Sequence, residues 1–322
     1  CTPNTLYTGP FQLPNGIHYI QFFSEDESTN TEGVQAVPGP IKVDESAPSG
    51  QSVALDSGVL FNNTGNVNMT FEQGTDEPAG DNSGISICEF STDGGTTWTD
   101  VSGQTSFALN SLTNGPVSVL YRCTDDAGNV SVPVSDSITV DMVAPEITLS
   151  GDASVIVEAD TVYVDAGATA NDDADGNISG AIAVSGLPVD TSILGDHLIT
   201  YNVTDNAGNS AVQVTRTVTV VDTTAPVITL DGSNPQDILL GQAYVELGAT
   251  VTDNHDVGLT VVIDSSLVNT NQIGSYAVTY NVTDSSGNHA IQKTRTVNVV
   301  DQEAPIITLT GANPQEIEVG TL

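Results

Sequence analysis

Positive charge is nearly absent from this chain. Five basic residues (Lys42, Arg122, Arg216, Lys293 and Arg295) stand against 41 Asp and Glu, a net charge of −36 over 322 residues. Nucleic acid and anionic membrane surfaces repel such a polyanion, so neither is expected as a partner, and the sign points to cations instead. Aromatic side chains make up 5% of the residues, too few to wall the cleft that a pair of carboxylates would need for glycoside hydrolysis. No stretch approaches the roughly 20 apolar residues of a membrane span, and no charged-then-apolar secretion signal opens the chain. The four histidines, His18, His197, His255 and His289, lie scattered with no two at metal-ligand spacing. His-Glu-x-x-His, Gly-x-Ser-x-Gly and a phosphate-cradling glycine loop are all missing. No catalysis is expected.

Cysteine is also scarce, which excludes a disulfide-dense scaffold. Cys88 and Cys123 fall on strands predicted to be neighbours in one domain, either bridged or as two reduced core thiols; Cys1 has no evident partner. Leu is sparse and there are two Met, whereas Val, Thr, Ile, Gly and Asn are plentiful. That balance favours strands and turns, and the chain reads as all-β.

What is present is a repeat. Asp-Asp-Ala-Gly-Asn at 125–129 recurs as Asp-Asn-Ala-Gly-Asn at 205–209 and Asp-Ser-Ser-Gly-Asn at 284–288, each followed by a phrase ending in Ala-Pro at 141–145, 222–226 and 301–305. The two best-matched units repeat at 81 residues between prolines (145 to 226) and 79 between phrases (209 to 288). Within them Gly167-Ala168-Thr169 matches Gly248-Ala249-Thr250, and Thr215-Arg216-Thr217-Val218 matches Thr294-Arg295-Thr296-Val297. Ile199, Tyr201 and Val203 alternate with polar residues at the strand period of two. About seven short strands per unit, with turn signals every 8 to 12 residues, predict tandem Ig-like β-sandwiches in an elongated rod.

The predicted divisions are 1–46 (the back part of a module), 47–143 (a divergent module), 144–223, 224–303 and 304–322 (the start of another), as in an excerpt from a longer array. The pattern Ala-Pro-x-Ile-Thr-Leu, Gly-Ala-Thr, an acidic loop, Tyr-Asn-Val-Thr-Asp-x-x-Gly-Asn and Arg-Thr-Val resembles the bacterial Ig-like modules found in tandem in large surface adhesins and secreted multidomain proteins. The resemblance covers 144–301 well, with 1–46 and 47–143 as divergent relatives. It implies a stalk or spacer role, often calcium-dependent, outside the cell and without catalysis.

The topology of an Ig-like sandwich also predicts where carboxylates meet. The loop between its second and third strands and the loop between its last two lie at the end where the chain enters. One joint should therefore gather Asp141, Asp172, Asp173, Asp175, Asp205 and Asn209, and the next Asp222, Asp253, Asn254, Asp256, Asp284 and Asn288. An earlier joint should gather Asp44, Asp76, Glu77, Asp81, Asp125 and Asn129. Three chain segments bringing hard oxygen ligands together suit Ca²⁺, which takes six to eight oxygens, better than octahedral Mg²⁺. The competing reading is that Asp, Asn and Gly simply fill turns.

Calcium at these joints would tie consecutive modules into a stiff segment of a stalk, adhesin or filament, each module adding roughly 35–40 Å. Its partners would be neighbouring modules of the same chain, a surface glycan or protein, or identical chains in a filament. Alternatives are an array of glycan- or protein-binding modules, with Trp98 as a sugar platform or as a packing residue, and the spacers of a secreted hydrolase.

Overall fold

The computed structural model describes residues 12–22, 31, 33–36, 39, 41–76, 83–308 and 310. Among these, strands dominate, and the helical content is two three-residue turns, Asp56–Gly58 and Ser179–Ala181. No helix among them is long and apolar enough to cross a membrane. The chain divides into two compact units, one drawn from Cys1–Ser150, Gly167–Val184 and Tyr201–Val214, the other from Gly151–Ala166, Ser185–Thr200 and Thr215–Leu322.

In the first unit, Val67–Glu72 alternates strictly, with Val67, Met69 and Phe71 buried and the residues between them exposed. That period of two fits a strand with one buried face. It is the centre of a three-stranded sheet between Ser52–Leu55 and Ser106–Leu109. A five-stranded sheet runs in the order Phe61–Asn62, Val134–Val140, Gly115–Asp125, Ile85–Ser91, Thr99–Asp100. Leu55, Met69 and Phe71 from the smaller sheet and Phe90, Val119, Tyr121 and Ile138 from the larger share one core, as the inner faces of a sandwich do. Phe71 stacks on Tyr121 with ring centroids 4.9 Å apart. Cys88 and Cys123 are register partners on adjacent antiparallel strands and are joined in a disulfide, both fully buried. The first unit also holds the antiparallel sheet Glu146–Leu149, Ala168–Asp172, Gly176–Asn177.

In the second unit, Val227–Leu230 pairs antiparallel with Ala249–Thr252. A four-stranded sheet runs Gln236–Leu239, Lys293–Val300, Gly274–Asn281, Val262–Asp264. The repeat spanning 227–300 thus holds six strands where about seven are expected. Ile228 from the small sheet packs with Val278, Tyr280 and Val297 from the large one. The chain changes sheet between 230 and 236, so Gln236–Leu239 runs parallel to Lys293–Val300. Ser154–Glu158 lies in the same parallel way along Val214–Val221.

Each such crossover is anchored by a buried arginine. Arg216 donates Nε to the carbonyl of Asp152 (2.9 Å) and Nη1 to Asp165, and it is 1% exposed. Arg295, fully buried, donates to the carbonyls of Asp231 and Gly248 and to Glu246 Oε1 (3.2 Å). Glu246 is ringed by further donors: Tyr244 and Tyr280 hydroxyls at 2.5 Å and the Gly248 amide at 2.8 Å. Burial alone would push its carboxyl up, but the two tyrosine hydroxyls, the amide and the Arg295 charge outweigh it and hold it below the ordinary range.

Candidate metal centres at the repeat boundaries

Three carboxylate clusters form where one repeat hands over to the next. Asp44, Asp76 and Asp125 make one, Asp141, Asp172 and Asp173 a second, and Asp222, Asp253, Asp256 and Asp284 a third, with ligand oxygens within 4.8 Å of one another in each. They arise from strand phase. In Gly115–Asp125 the inward positions run Val119, Tyr121, Cys123 and then Asp125. Along the equivalent run in the second unit, Val278, Tyr280 and Val282 are followed by Asp284, 7% exposed. Ala170 is followed in the same way by Asp172, and Val218 and Val220 by Asp222. Where the apolar core runs out, the next inward residue on each segment is an aspartate.

The Asp-x-x-Gly-Asn phrase closes as a tight turn with a clasp. The Asp205 amide donates to the Asn209 carbonyl (3.1 Å), and the Asn209 amide donates back to Asp205 Oδ1 (2.7 Å). Gly128, Gly208 and Gly287 take φ of 92°, 95° and 94°, a backbone region that a Cβ disfavours, which is why the phrase keeps glycine there. Asn209 Nδ2 then donates to the main-chain carbonyl of the linker residue Asp141 (3.0 Å). Asn129 does the same to Asp44 (3.0 Å), and Asn288 to Asp222 (3.1 Å). The turn asparagine therefore fastens the incoming linker through its amide nitrogen, a role that its place among candidate oxygen ligands did not reveal.

The linker aspartates form short Asx turns. Asp141 Oδ1 accepts from Val143 N–H (3.0 Å) and Asp222 Oδ1 from Thr224 N–H (3.2 Å). The acidic loops fold likewise: Asp172 Oδ1 accepts from the amides of Ala174 and Asp175, and Asp253 Oδ2 from those of His255 and Asp256. These bonds leave one oxygen of each carboxylate over. Asp141 Oδ2 and Asp172 Oδ2 at one boundary, and Asp222 Oδ2, Asp253 Oδ1 and Asp284 Oδ2 at the next, are buried and accept no hydrogen bond. A carboxylate oxygen removed from water without a donor is costly unless a cation meets it. Burial pushes the Asp141 carboxyl up, and the nearby charges of Asp172, Asp205 and Asp173 add to the rise against the pull of the Val143 amide.

The first boundary differs. Both oxygens of Asp44 are taken, by Ser46 N–H (3.0 Å) and Ser83 N–H (2.8 Å). Burial would raise its carboxyl, yet these bonds outweigh it and hold it below the ordinary range. Asp125 and Asp205 likewise spend both oxygens on Asn129 and Asn209. Asp173 is exposed at the rim of its cluster. Asp175 gives both oxygens to Asn206, and Asp256 both to Ser285, so each staples its acidic loop to the neighbouring turn. Asn254 reaches Glu158 at 3.4 Å. Glu77 and Asp81 lie outside the described residues.

Trp98 is a packing residue. Its indole N–H donates to the Gly95 carbonyl (3.0 Å), and the Arg122 guanidinium sits 3.8 Å from the ring centroid while bonded to Glu89. The Arg122 guanidinium thus covers one face of the half-buried indole.

Residues 147–220 and 228–299 each match the Ig-like domain of bacterial surface proteins. These two repeats belong to that family. Over 258 residues the chain is 30% identical to hyalin of Strongylocentrotus purpuratus, covering 69% of the chain and 20% of hyalin. It is 31% identical over 240 residues to hyalin of Lytechinus variegatus, covering 65% and 42%. The chain thus spans less than half the length of these relatives. Among solved structures, it is similar to a Ca²⁺-stabilised adhesin with which an Antarctic bacterium binds ice: TM-score 0.30, 15% identity, covering 88% of this chain and 81% of that one.

Proposed function

We propose that these surface Ig-like domains form a non-catalytic segment of an extracellular stalk or adhesin whose repeats are tied together by calcium at their boundaries. The observation that carries this reading is the set of buried carboxylate oxygens without a donor, contributed at each of two boundaries by separate chain segments. The donors are all oxygen, several are charged, and no thiol or free imidazole joins them, which suits a hard cation of high coordination number. Asp222, Asp253 and Asp284 would hold the ion at one boundary and Asp141 and Asp172 at another, with Asp173 and Asp256 beside them. The boundary at Asp222 offers three such oxygens and is the strongest candidate. The boundary at Asp44 is the weakest, because hydrogen bonds already fill both oxygens of Asp44. The bound charge would relieve the mutual repulsion of the aspartates and fix each linker against the loops of the next repeat.

The test is calorimetric titration of the full chain with Ca²⁺ and with Mg²⁺, alongside small-angle scattering with and without chelator. Calcium heats that fall on Asp222→Asn, with a larger scattering width after chelation, are expected. Absence of heat together with an unchanged melting temperature and maximum dimension would falsify the reading.

A further inference from the structure

Among the described residues, the boundary at Asp222 carries polar contacts that run from a strand end to the linker and on to the following acidic loop; at the other two, the linker is met by Asn15, which accepts from Glu45 N–H (2.5 Å), and by Asn114, which accepts from Met142 N–H (3.0 Å). Glu158, the last residue of Ser154–Glu158, is in parallel register with Val221, which places it beside the linker. Its carboxylate accepts four hydrogen bonds there: from Thr223 N–H (2.9 Å) and Oγ1 (2.7 Å), and from Thr224 N–H (3.0 Å) and Oγ1 (2.7 Å). Asn254 of the following acidic loop approaches the same carboxylate at 3.4 Å. Two residues on, Asp160 stands at φ 56° and pairs Oδ2 with Nδ1 of His255 in that loop at 2.7 Å. One short segment, 158–160, thus holds both the linker and the loop beyond it.

Register identifies the matching positions in the other repeats. Leu239 pairs with Val300 as Glu158 pairs with Val221, and the Leu239 side chain has no acceptor to offer. Asn62 pairs with Val140, and its Oδ1 is taken by the amides of Thr64 and Gly65 in its own loop. The paired linker hydroxyls set this boundary apart: Glu45-Ser46, Met142-Val143 and Gln302-Glu303 stand where Thr223-Thr224 do, with Ser46 alone among them keeping a hydroxyl, which accepts from Asn15 Nδ2 (2.8 Å), and Ala174 stands where His255 does. Among the described residues, the acceptor, its two hydroxyl donors and the histidine occur together once.

We propose that segment 158–160 is an ion-independent lock, which keeps the boundary at Asp222 fixed when calcium is withdrawn while the boundaries lacking it loosen. This goes beyond the calcium reading and does not depend on it, since charge-assisted hydrogen bonds of this kind need no metal. The geometry makes Glu158 the central acceptor for the two threonines, while Asp160 holds His255 beside it.

The test is a spin-label distance measurement in the full chain, in chelator throughout. Labels at Ile156→Cys and Ile291→Cys, both strongly exposed positions, in a Cys1→Ser background report on the boundary. A narrow distance distribution is expected without metal, and Glu158→Leu, which copies the residue found at 239, is expected to lose the narrow component. Thr223→Val with Thr224→Val should do the same. Hydrogen exchange in Gly274–Asn281 and Lys293–Val300, unchanged from the parent, verifies that the variants remain folded. A broad distribution in the parent, or a distribution in folded Glu158→Leu as narrow as the parent's, overturns the lock. Calcium heats are measured separately, so a failure of the calcium reading leaves this result standing.

Discussion

Replacing Arg295 by methionine is expected to strip a repeat of much of its stability, and the structure sets the scale. Arg295 is fully buried and satisfies the carbonyls of Asp231 and Gly248 at the strand crossover as well as Glu246. Methionine fills much of the volume but supplies no donor, so two carbonyls and one carboxylate lose a partner. Removing one member of a buried ion pair typically costs about 3–5 kcal/mol. A domain of about 80 residues has in total about 4–12 kcal/mol, so the repeat should melt on the order of 20 °C lower. Glu246 keeps Tyr244, Tyr280 and the Gly248 amide, so adding Glu246→Gln to Arg295→Met should recover part of the loss. Amide exchange in the full chain is the assay: Gly274–Asn281 and Lys293–Val300 should lose protection while Gly115–Asp125 and Val134–Val140 keep theirs. A neutral Arg295→Met, or a loss spread evenly over both units, would refute the view that the arginine anchors its own crossover.

Two further outcomes follow from local chemistry. The hydroxyls of Thr224 and Thr223 and the Thr223 amide lower the Glu158 carboxyl from 4.5 to about 2. Because the folded value is depressed, its contribution is complete above the ordinary value and fades as pH falls through about 2. The stability difference between the parent and Glu158→Gln should therefore close between those limits, and a constant difference across that window would contradict the assignment. The Cys88–Cys123 disulfide closes a segment with a sequence separation of 35, for which loop entropy gives about 4 kcal/mol. Cys88→Ala with Cys123→Ala should lower the melting transition of the strands around Gly115–Asp125 and leave Gly274–Asn281 unaffected, as exchange protection would report.

Strand identity was legible because the period-two alternation is strong: Ile199, Tyr201 and Val203 announce their strand in any reading. The boundary aspartates were legible from the loop order of an Ig-like sandwich, whereas following the strand phase one step further shows that Asp125 and Asp284 occupy core-facing positions. Arg216 and Arg295 served only as repeat markers, since arginine is rarely interior and nothing local signals that a strand crossover needs its donors. The turn asparagines stood among oxygen ligands, whereas their amide nitrogens fasten the linker, a distinction that depends on which carbonyl the fold brings near. Glu158 was invisible because its threonine partners are 65 and 66 residues away. Bridged and reduced cysteines were equally open until strand register placed Cys88 opposite Cys123.

Burying Arg216 and Arg295 does more than anchor two crossovers. It withdraws two of the five cations from the exterior, and a third, Arg122, is held between Glu89 and Trp98. The face that the chain shows to its surroundings is therefore close to a pure polyanion. On the proposed surface stalk, neighbouring copies would push one another apart over the Debye length, about 8 Å at physiological salt and about 30 Å in dilute medium. Such a layer would behave as a charged brush, sparse in fresh water and dense in brine, with its spacing set by the ions of the medium.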